Sequence, residues 1–292
     1  MKLYTNVLPP LIMPDTCNYI GVFLTLDCTL HCSYCINRFG KLSQHTLLSG
    51  EEWLKGLNRI VSRPDLPVTL QGGEPTLHPD FYAIVNGVTS DLPIDILTNL
   101  EIDMDRFMKE IYPERLKRQA PYASIRVSYH PEAMEIERLA ENVLLLQSAG
   151  YSIGIWGVLH PEWEGEIRSA MEYCTAVGID FRTKAFLGDY AGVMHGKLSY
   201  PDACGRRSRR RVRCRTSELI IGPGGDIFRC HADLYERRDA VGHILDPDFV
   251  IDMEFRPCSS YGNCNPCDVK LKTNRFQDFG HTSVEIKFES EN

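Results

Sequence analysis

Residues 19–35 read YIGVFLTLDCTLHCSYC: an apolar, β-branched run ends at Asp27 and is followed at once by Cys28, Cys32 and Cys35. The run predicts a strand, and the cysteines a loop at its carboxyl end. Five further strands are predicted outward from it, over 68–71, 94–98, 124–130, 152–160 and 179–186. Helical spacing fills the gaps. Ser49 and Glu52 form a capping box ahead of Trp53, Leu54, Leu57, Ile60 and Val61 on one face. Other helices are expected over 79–89, 103–117, 135–148 and 163–177, with Gly150 and Gly178 handing helix over to strand. Six β-then-α units in a row predict an α/β fold with a parallel sheet and helices outside it. An incomplete barrel and an open doubly wound sheet both satisfy that pattern.

The 292 residues carry a formal charge of −7, with 43% hydrophobic and 24% charged residues, enough apolar material for a sizeable core. Disorder, collagen and a coiled-coil rod are excluded. No stretch of 18 apolar residues offers a membrane span. The amino-terminal stretch MKLYTNVLPP lacks the charged start and apolar run of a signal peptide, which makes a cytoplasmic location the default expectation. After Phe186 glycine, arginine and cysteine rise, so a boundary is expected there: a core over 1–186 and a smaller, loop-rich region over 187–292. An embedded metal centre would help such a region offset its ordering entropy. Eleven cysteines, an odd number, point to metal or redox chemistry more than to disulfides.

Three thiolates in C-x3-C-x2-C spacing can hold three irons of a cubane and leave the fourth open to a small chelating substrate. A zinc loop completed by His31 is the alternative, although zinc sites more often join two distant cysteine pairs. One β/α unit later the second strand ends in Gln71-Gly72-Gly73-Glu74-Pro75. With Tyr34 just before the last cysteine, this arrangement resembles the radical S-adenosylmethionine (radical SAM) superfamily. The resemblance implies a partial (β/α)6, TIM-like barrel over 19–186. It implies a [4Fe–4S] cluster on Cys28, Cys32 and Cys35, whose open iron is chelated by SAM. Reductive cleavage of SAM would then give methionine and a 5′-deoxyadenosyl radical that takes hydrogen from a substrate. Gly72, Gly73, Glu74 and Pro75 would hold the SAM amino group. On the fourth strand Ser124, Arg126, Ser128 and His130 share a face, and Arg126 and Ser128 are candidates for the SAM ribose or carboxylate. Thr98 and Asn99, ending the third strand, are further candidates. Asp180, Arg182 and Lys184 share a face of the sixth strand, where they would bind a polar substrate or pair with one another.

Farther on, Cys214-x10-Gly225-x4-Cys230 precedes Cys258-x5-Cys264-x2-Cys267. This resembles the auxiliary-cluster extension called SPASM, or its one-cluster form, twitch. The resemblance implies one auxiliary [4Fe–4S] cluster on Cys214, Cys230, Cys264 and Cys267, with Pro223-Gly224-Gly225-Asp226 as the turn of a hairpin. A four-cysteine zinc site is the alternative from spacing alone. Cys204 and Cys258 remain, as small apolar fillers or as hydrogen-atom donors to a substrate radical. Residues 206–215, RRSRRRVRCR, hold seven arginines and no acid. They form a solvated face, a grip on an anionic substrate, or a dock for an acidic flavodoxin- or ferredoxin-type reductant. The absence of interleaved aromatics argues against nucleic acid. The expected function is a radical SAM oxidoreductase with a small or carbohydrate-like substrate. Peptide modification or enzyme maturation is the alternative, and a non-catalytic nucleic-acid-binding metalloprotein a distant one.

Overall fold

The opening apolar run forms β1 (Tyr19–Thr25). The structure is a computed structural model describing residues 8–35, 46–205, 210–272 and 282–289. Chain order continues α1 (Gly50–Leu57), β2 (Val68–Gly72), α2 (Phe81–Gly87), β3 (Ile94–Thr98), α3 (Met104–Glu110), β4 (Ile125–Tyr129), α4 (Ile136–Ser148), β5 (Ile153–Leu159), α5 (Glu164–Ala176) and β6 (Phe181–Ala185). These six strands pair in parallel, each with its successor. The capping box on α1 is present, Ser49 accepting from the Glu52 amide and Glu52 from the Ser49 amide. Gly150 and Gly178 take φ of 93° and 86° where α4 and α5 give way to strands. The helix expected over 103–117 ends at Glu110, because Pro113 holds Tyr112 extended and opens a separate 3-10 turn, Pro113–Leu116.

Register decides which side chains meet the helices. Ile20, Val22, Val68, Leu70, Ile94, Ile96, Ile125, Val127, Ile153 and Ile155 point one way, into a core with Trp53, Phe81, Phe107, Val143 and Ile167. Their neighbours point into the lumen: Tyr19, Thr69, Asp95, Arg126, Ser128, Trp156, Arg182 and Lys184. An apolar outside and a polar inside suit a barrel that holds a ligand.

The sheet does not stop at the boundary expected near residue 187. A hairpin of β7 (Gly188–Tyr190) and β8 (Val193–His195) comes first, then β9 (Val212–Thr216), β10 (Glu218–Ile221), β11 (Asp226–Phe228), α6 (His231–Glu236), β12 (Gly242–His243), β13 (Arg256–Cys258), α7 (Pro266–Val269) and β14 (Val284–Phe288). Strand β10 adds in parallel to β1, giving one nine-stranded sheet in the order β12-β11-β10-β1-β2-β3-β4-β5-β6. The linear order makes it an open, partial barrel. Leu219, Ile221, Ile227 and Ile244 join the main core because their apolar faces continue that of β1. A separate small core of Ala203, Val212, Cys214, Tyr261, Val269, Val284 and Ile286 lies under the three-stranded sheet β13-β9-β14.

Buried charge closes the lumen floor. Asp95 takes a bidentate grip from Arg118 at 2.6 and 2.7 Å and a third contact from Arg126 at 3.2 Å. Next to Tyr19 in register, Glu218 is paired with Lys272 and accepts from Ser283 at 2.7 Å. Of the arginine run, Arg206, Arg207 and Arg209 lie outside the described residues. Arg210 and Arg211 lead into β9, where Val212 and Cys214 face inward and Arg213 and Arg215 outward. Arg215 pairs with Glu285 at 3.0 Å and Arg213 donates to the Phe255 carbonyl. Among the described residues no helix is long and apolar enough to cross a membrane.

Candidate active site

Two glycines lock the end of β2 against the start of the cysteine loop. A Cβ on Gly72 would stand 1.9 Å from the Thr25 carbonyl oxygen, and one on Gly73 would stand 2.1 Å from that of Asp27. Without side chains the backbones meet: the Gly73 amide donates to Thr25 at 3.0 Å and the Glu74 amide to Asp27 at 2.7 Å. Glu74 itself turns inward and is fully buried. Its carboxylate accepts from the Thr76 amide (3.2 Å) and hydroxyl (2.7 Å), the Thr98 hydroxyl (2.9 Å) and the Asn99 amide (2.7 Å). Burial raises its pKa, with these hydrogen bonds opposing. Pro75 is also buried and opens a 3-10 turn. The Asn99 side chain then donates to Thr29 at 2.8 Å and approaches the Cys28 sulfur at 3.9 Å. Glu74, Thr98 and Asn99 thus tie the ends of β2 and β3 to the cysteine loop.

The far end of the loop is anchored over β4 and β5. Tyr34 hydrogen-bonds His130 Nδ1 at 2.9 Å and stacks on His160 with ring centres 5.0 Å apart, and the Ser33 amide donates to Glu132 at 2.7 Å. His160 in turn meets Phe186 and Tyr190 edge-on. None of the loop cysteines is in a disulfide. Burial raises the Cys28 and Cys32 pKa values, Cys32 to about 12, and the charge of Cys35 raises both further. Three thiols that oppose one another's ionisation occupy one neighbourhood, which an iron cluster's positive charge relieves. The donor set fits a [4Fe–4S] cluster with one open iron.

Inside the lumen, Arg126 is committed to Asp95 and, at 3.3 Å, to Thr69, while its buried Nε has no partner. Ser128 lies one step higher on the same face. Asp180 and Arg182 pair with one another at 2.9 Å, and Arg182 also donates to the Pro121 carbonyl. Lys184 is left without a counter-ion among the described residues.

A second cysteine group packs on the small core. Cys214, Cys230, Cys258 and Cys264 line one small cavity with Arg229, Asp233, Arg238 and Asp268. The expected hairpin is formed by β10 and β11, with Gly225 at φ 87°. Cys230 caps α6, accepting from the Asp233 amide at 3.4 Å. Asp268, buried at the start of α7, accepts from the His231 amide (3.0 Å) and Nδ1 (2.8 Å), stapling the two helices. Cys214 and Cys258 share a hydrogen bond that raises the pKa of the first and lowers that of the second, which also faces Arg229. Cys267 stands apart, in the field of Lys270, Lys272 and Lys184. Among the described residues no three His, Cys, Asp or Glu side chains are gathered to hold a single metal ion. Four thiols around one cavity would fit a [4Fe–4S] cluster. Cys204 lies on a different cavity of about 960 Å³, beside Cys264 and the β7–β8 hairpin. Cys17 and Cys174 are buried fillers whose pKa values burial raises to about 12 and about 11.

Comparison with known proteins agrees with this geometry. Residues 22–153, which run from β1 to the start of β5, match the Radical SAM superfamily. The chain carries a radical SAM domain. Among solved structures, anSMEcpe with bound AdoMet superposes with a TM-score of 0.51 at 14% identity, over 82% of this chain and 78% of that one. Native anSMEcpe with bound AdoMet and Kp18Cys peptide gives the same figures. SuiB from Streptococcus suis bound to precursor peptide SuiA gives 0.49 at 14% identity, over 84% of this chain and 65% of that one. At such identity the likeness is one of fold. No curated protein matches at the sequence level. Membership of the radical SAM family implies an enzyme with a [4Fe–4S] cluster and SAM.

Several residues around the two cysteine groups escaped sequence reasoning. Glu132 and His160, which grip the triad loop, lie after separate strands, and Asp268 and Asp233 carry no spacing signal. Only the position of Asp233, three residues after Cys230, hints at a helix start.

Proposed function

We propose that the chain is a radical SAM oxidoreductase in which Cys28, Cys32 and Cys35 hold the catalytic cluster and a second cluster assists oxidation of the substrate. The observation that carries this is the packing of the Gly72-Gly73-Glu74 turn onto the start of the cysteine loop, by hydrogen bonds from the Gly73 amide to Thr25 (3.0 Å) and from the Glu74 amide to Asp27 (2.7 Å), beside three cysteines that form no disulfide. When bound, the cluster and SAM together supply one-electron reduction of the sulfonium, and so a radical able to take hydrogen. The protein's own part is aim and exclusion of water. Gly72 to Pro75, Thr98, Asn99 and Tyr34 border the place for SAM, with Arg126 and Ser128 below it on β4. Asn99 stabilises Cys28 by donating toward its sulfur. Cys214, Cys230 and Cys264 would hold the auxiliary cluster. Its fourth ligand is Cys258 or Cys267, and the shared cavity favours Cys258. The remaining thiol and Cys204 are then the hydrogen-donor candidates.

A small or carbohydrate-like substrate is the primary reading. Peptide modification is the second, favoured by the roughly 960 Å³ cavity beside the β7–β8 hairpin, at the upper end of small-ligand sites. A flavodoxin- or ferredoxin-type reductant and a cytoplasmic setting complete the proposal. Anaerobic reconstitution followed by dithionite and SAM tests it. Release of 5′-deoxyadenosine with about eight irons per chain supports two cubanes. About four irons would remove the auxiliary cluster, and no 5′-deoxyadenosine would remove the activity.

A further inference from the structure

Two guanidiniums border the second cysteine group, and each keeps one buried N–H with nothing to donate to. Arg229 and Arg238 line the cavity shared by Cys214, Cys230, Cys258 and Cys264. Among the described residues, Arg229 Nε and Arg238 Nη2 are shut off from water and have no hydrogen-bond partner. Buried donors are seldom left unused, so two beside one group of thiols call for an acceptor.

The rest of each fork is committed. Arg229 donates through Nη2 to Asp233 at 3.2 Å and through Nη1 to the Pro257 carbonyl at 2.9 Å. Arg238 donates through Nε to the other Asp233 oxygen at 2.9 Å and through Nη1 to Glu236. These bonds fix where the arginines stand. Arg229 directly precedes Cys230 and Pro257 directly precedes Cys258, so one guanidinium spans the approaches to two of the thiols. Asp233, which holds both arginines, also gives its amide to the Cys230 sulfur at 3.4 Å. Along the cavity, the Asp233 carboxylate is taken by the arginines themselves, and that of Asp268 by His231 and the Ala232 amide. Among the described residues that line it, the Ser260 hydroxyl and the four thiols are the side-chain acceptors left. Arg215 borders the cavity as well, but it is nearly half exposed and pairs with Glu285.

We propose that Arg229 and Arg238 donate these spare N–H groups to sulfur of the auxiliary cluster and so raise its reduction potential. This rests on the auxiliary cluster proposed above. Reduction adds negative charge to a cluster, and N–H donors at its sulfurs favour the reduced form. There the substrate radical would give one electron to the cluster and one proton to water, and a higher potential favours that transfer.

The test starts from a parent protein carrying Cys28→Ala, Cys32→Ala and Cys35→Ala, so that the second group is the one cluster site measured. Arg229→Gln, Arg238→Gln or Arg238→Lys is added to it, and each protein is reconstituted anaerobically. Iron per chain is counted, and the midpoint potential is read by dithionite titration followed by EPR. The expected result is about four irons in every variant. The potential should be lower in each glutamine variant, by about tenfold in the one-electron reduction equilibrium, or about 59 mV. Arg238→Lys keeps the charge without the Nη2 donor and should recover at most part of the fall. Arg168→Gln, an exposed change on α5 that removes the same charge, should leave the potential where it was. Iron with an unmoved potential in Arg238→Gln overturns the proposal, as does full recovery in Arg238→Lys or an equal fall in Arg168→Gln. Loss of iron in Arg238→Gln overturns it too, since the arginine would then be a structural support. Where Arg229→Gln alone loses iron through its Pro257 contact, Arg238→Gln decides. A parent protein without iron overturns the auxiliary cluster itself, a result distinct from iron present with an unmoved potential.

Discussion

Replacing Gly73 by alanine puts a methyl group where the backbone of the cysteine loop already lies. The added carbon would meet the Asp27 carbonyl oxygen at 2.1 Å, its carbon at 2.5 Å and the Leu26 carbonyl oxygen at 2.6 Å. All three are main-chain atoms, so no side chain can rotate away. Relief requires the ends of β1 and β2 to part by about 1 Å, which disrupts the Gly73–Thr25 and Glu74–Asp27 hydrogen bonds. Overpacking of this kind costs about 1–3 kcal/mol, and two backbone hydrogen bonds add about 0.5–1.5 kcal/mol each. A loss of roughly 3–4 kcal/mol lowers the melting temperature by roughly 6–16 °C. The same displacement moves Asp27 away from Glu74, so SAM binding should weaken with it. Gly165→Ala in α5 is the control: nothing lies within 4 Å of its added carbon, and a helical Gly-to-Ala change stabilises by about 0.5–1 kcal/mol. The measurement is an anaerobic thermal melt of both variants, with equilibrium binding of SAM. If Gly73→Ala melts within a degree of the parent and binds SAM equally, the close approach of β2 to the cysteine loop is not the device described.

Other perturbations address the floor and the second cysteine group. Asp95→Asn leaves Arg118 and Arg126 uncompensated in a buried site and should cost about 3–5 kcal/mol in urea unfolding; a loss under 1 kcal/mol would mean the pair is not formed. Burial raises the Glu218 pKa, but Lys272, His231 and the hydrogen bonds from Lys272 and Ser283 overcome it and hold the group below its ordinary value. The stability this gives is present above the unfolded carboxylate pKa of about 4.3 and is lost as pH falls toward the folded one. Acid unfolding of Glu218→Gln should therefore be shallower than that of the parent below about pH 5, and superimposable acid limbs would count against it. Cys258→Ser should lower iron per chain by about four while Cys267→Ser does not, as measured on reconstituted protein; the reverse pattern would restore Cys267 as the fourth ligand.

Periodicity made the barrel legible in the sequence. All six parallel strands lie where alternation and β-branched runs put them, because one face of each packs on helices and apolar residues must recur there. The 103–117 helix failed at Pro113, a local rule outweighed by the longer helical pattern. The joining of β10 to β1 was not legible, since a four-residue strand carries no mark of its partner. For the site, the Cys28, Cys32, Cys35 spacing and the Gly72-Gly73 pair announce themselves because each is a short local pattern. Glu132, His160 and Asp268 act on the loops from distant parts of the chain, and only the fold brings them there. The uneven charge of the lumen was half visible: Asp180, Arg182 and Lys184 shared a face, but which of them would find a partner depended on distances that spacing does not contain.

The most direct test of the central claim substitutes Cys28, Cys32 and Cys35 together by alanine and assays SAM cleavage under dithionite after anaerobic reconstitution. The account expects 5′-deoxyadenosine to disappear while about four irons per chain remain at the second cysteine group. Continued release of 5′-deoxyadenosine by that variant would contradict it.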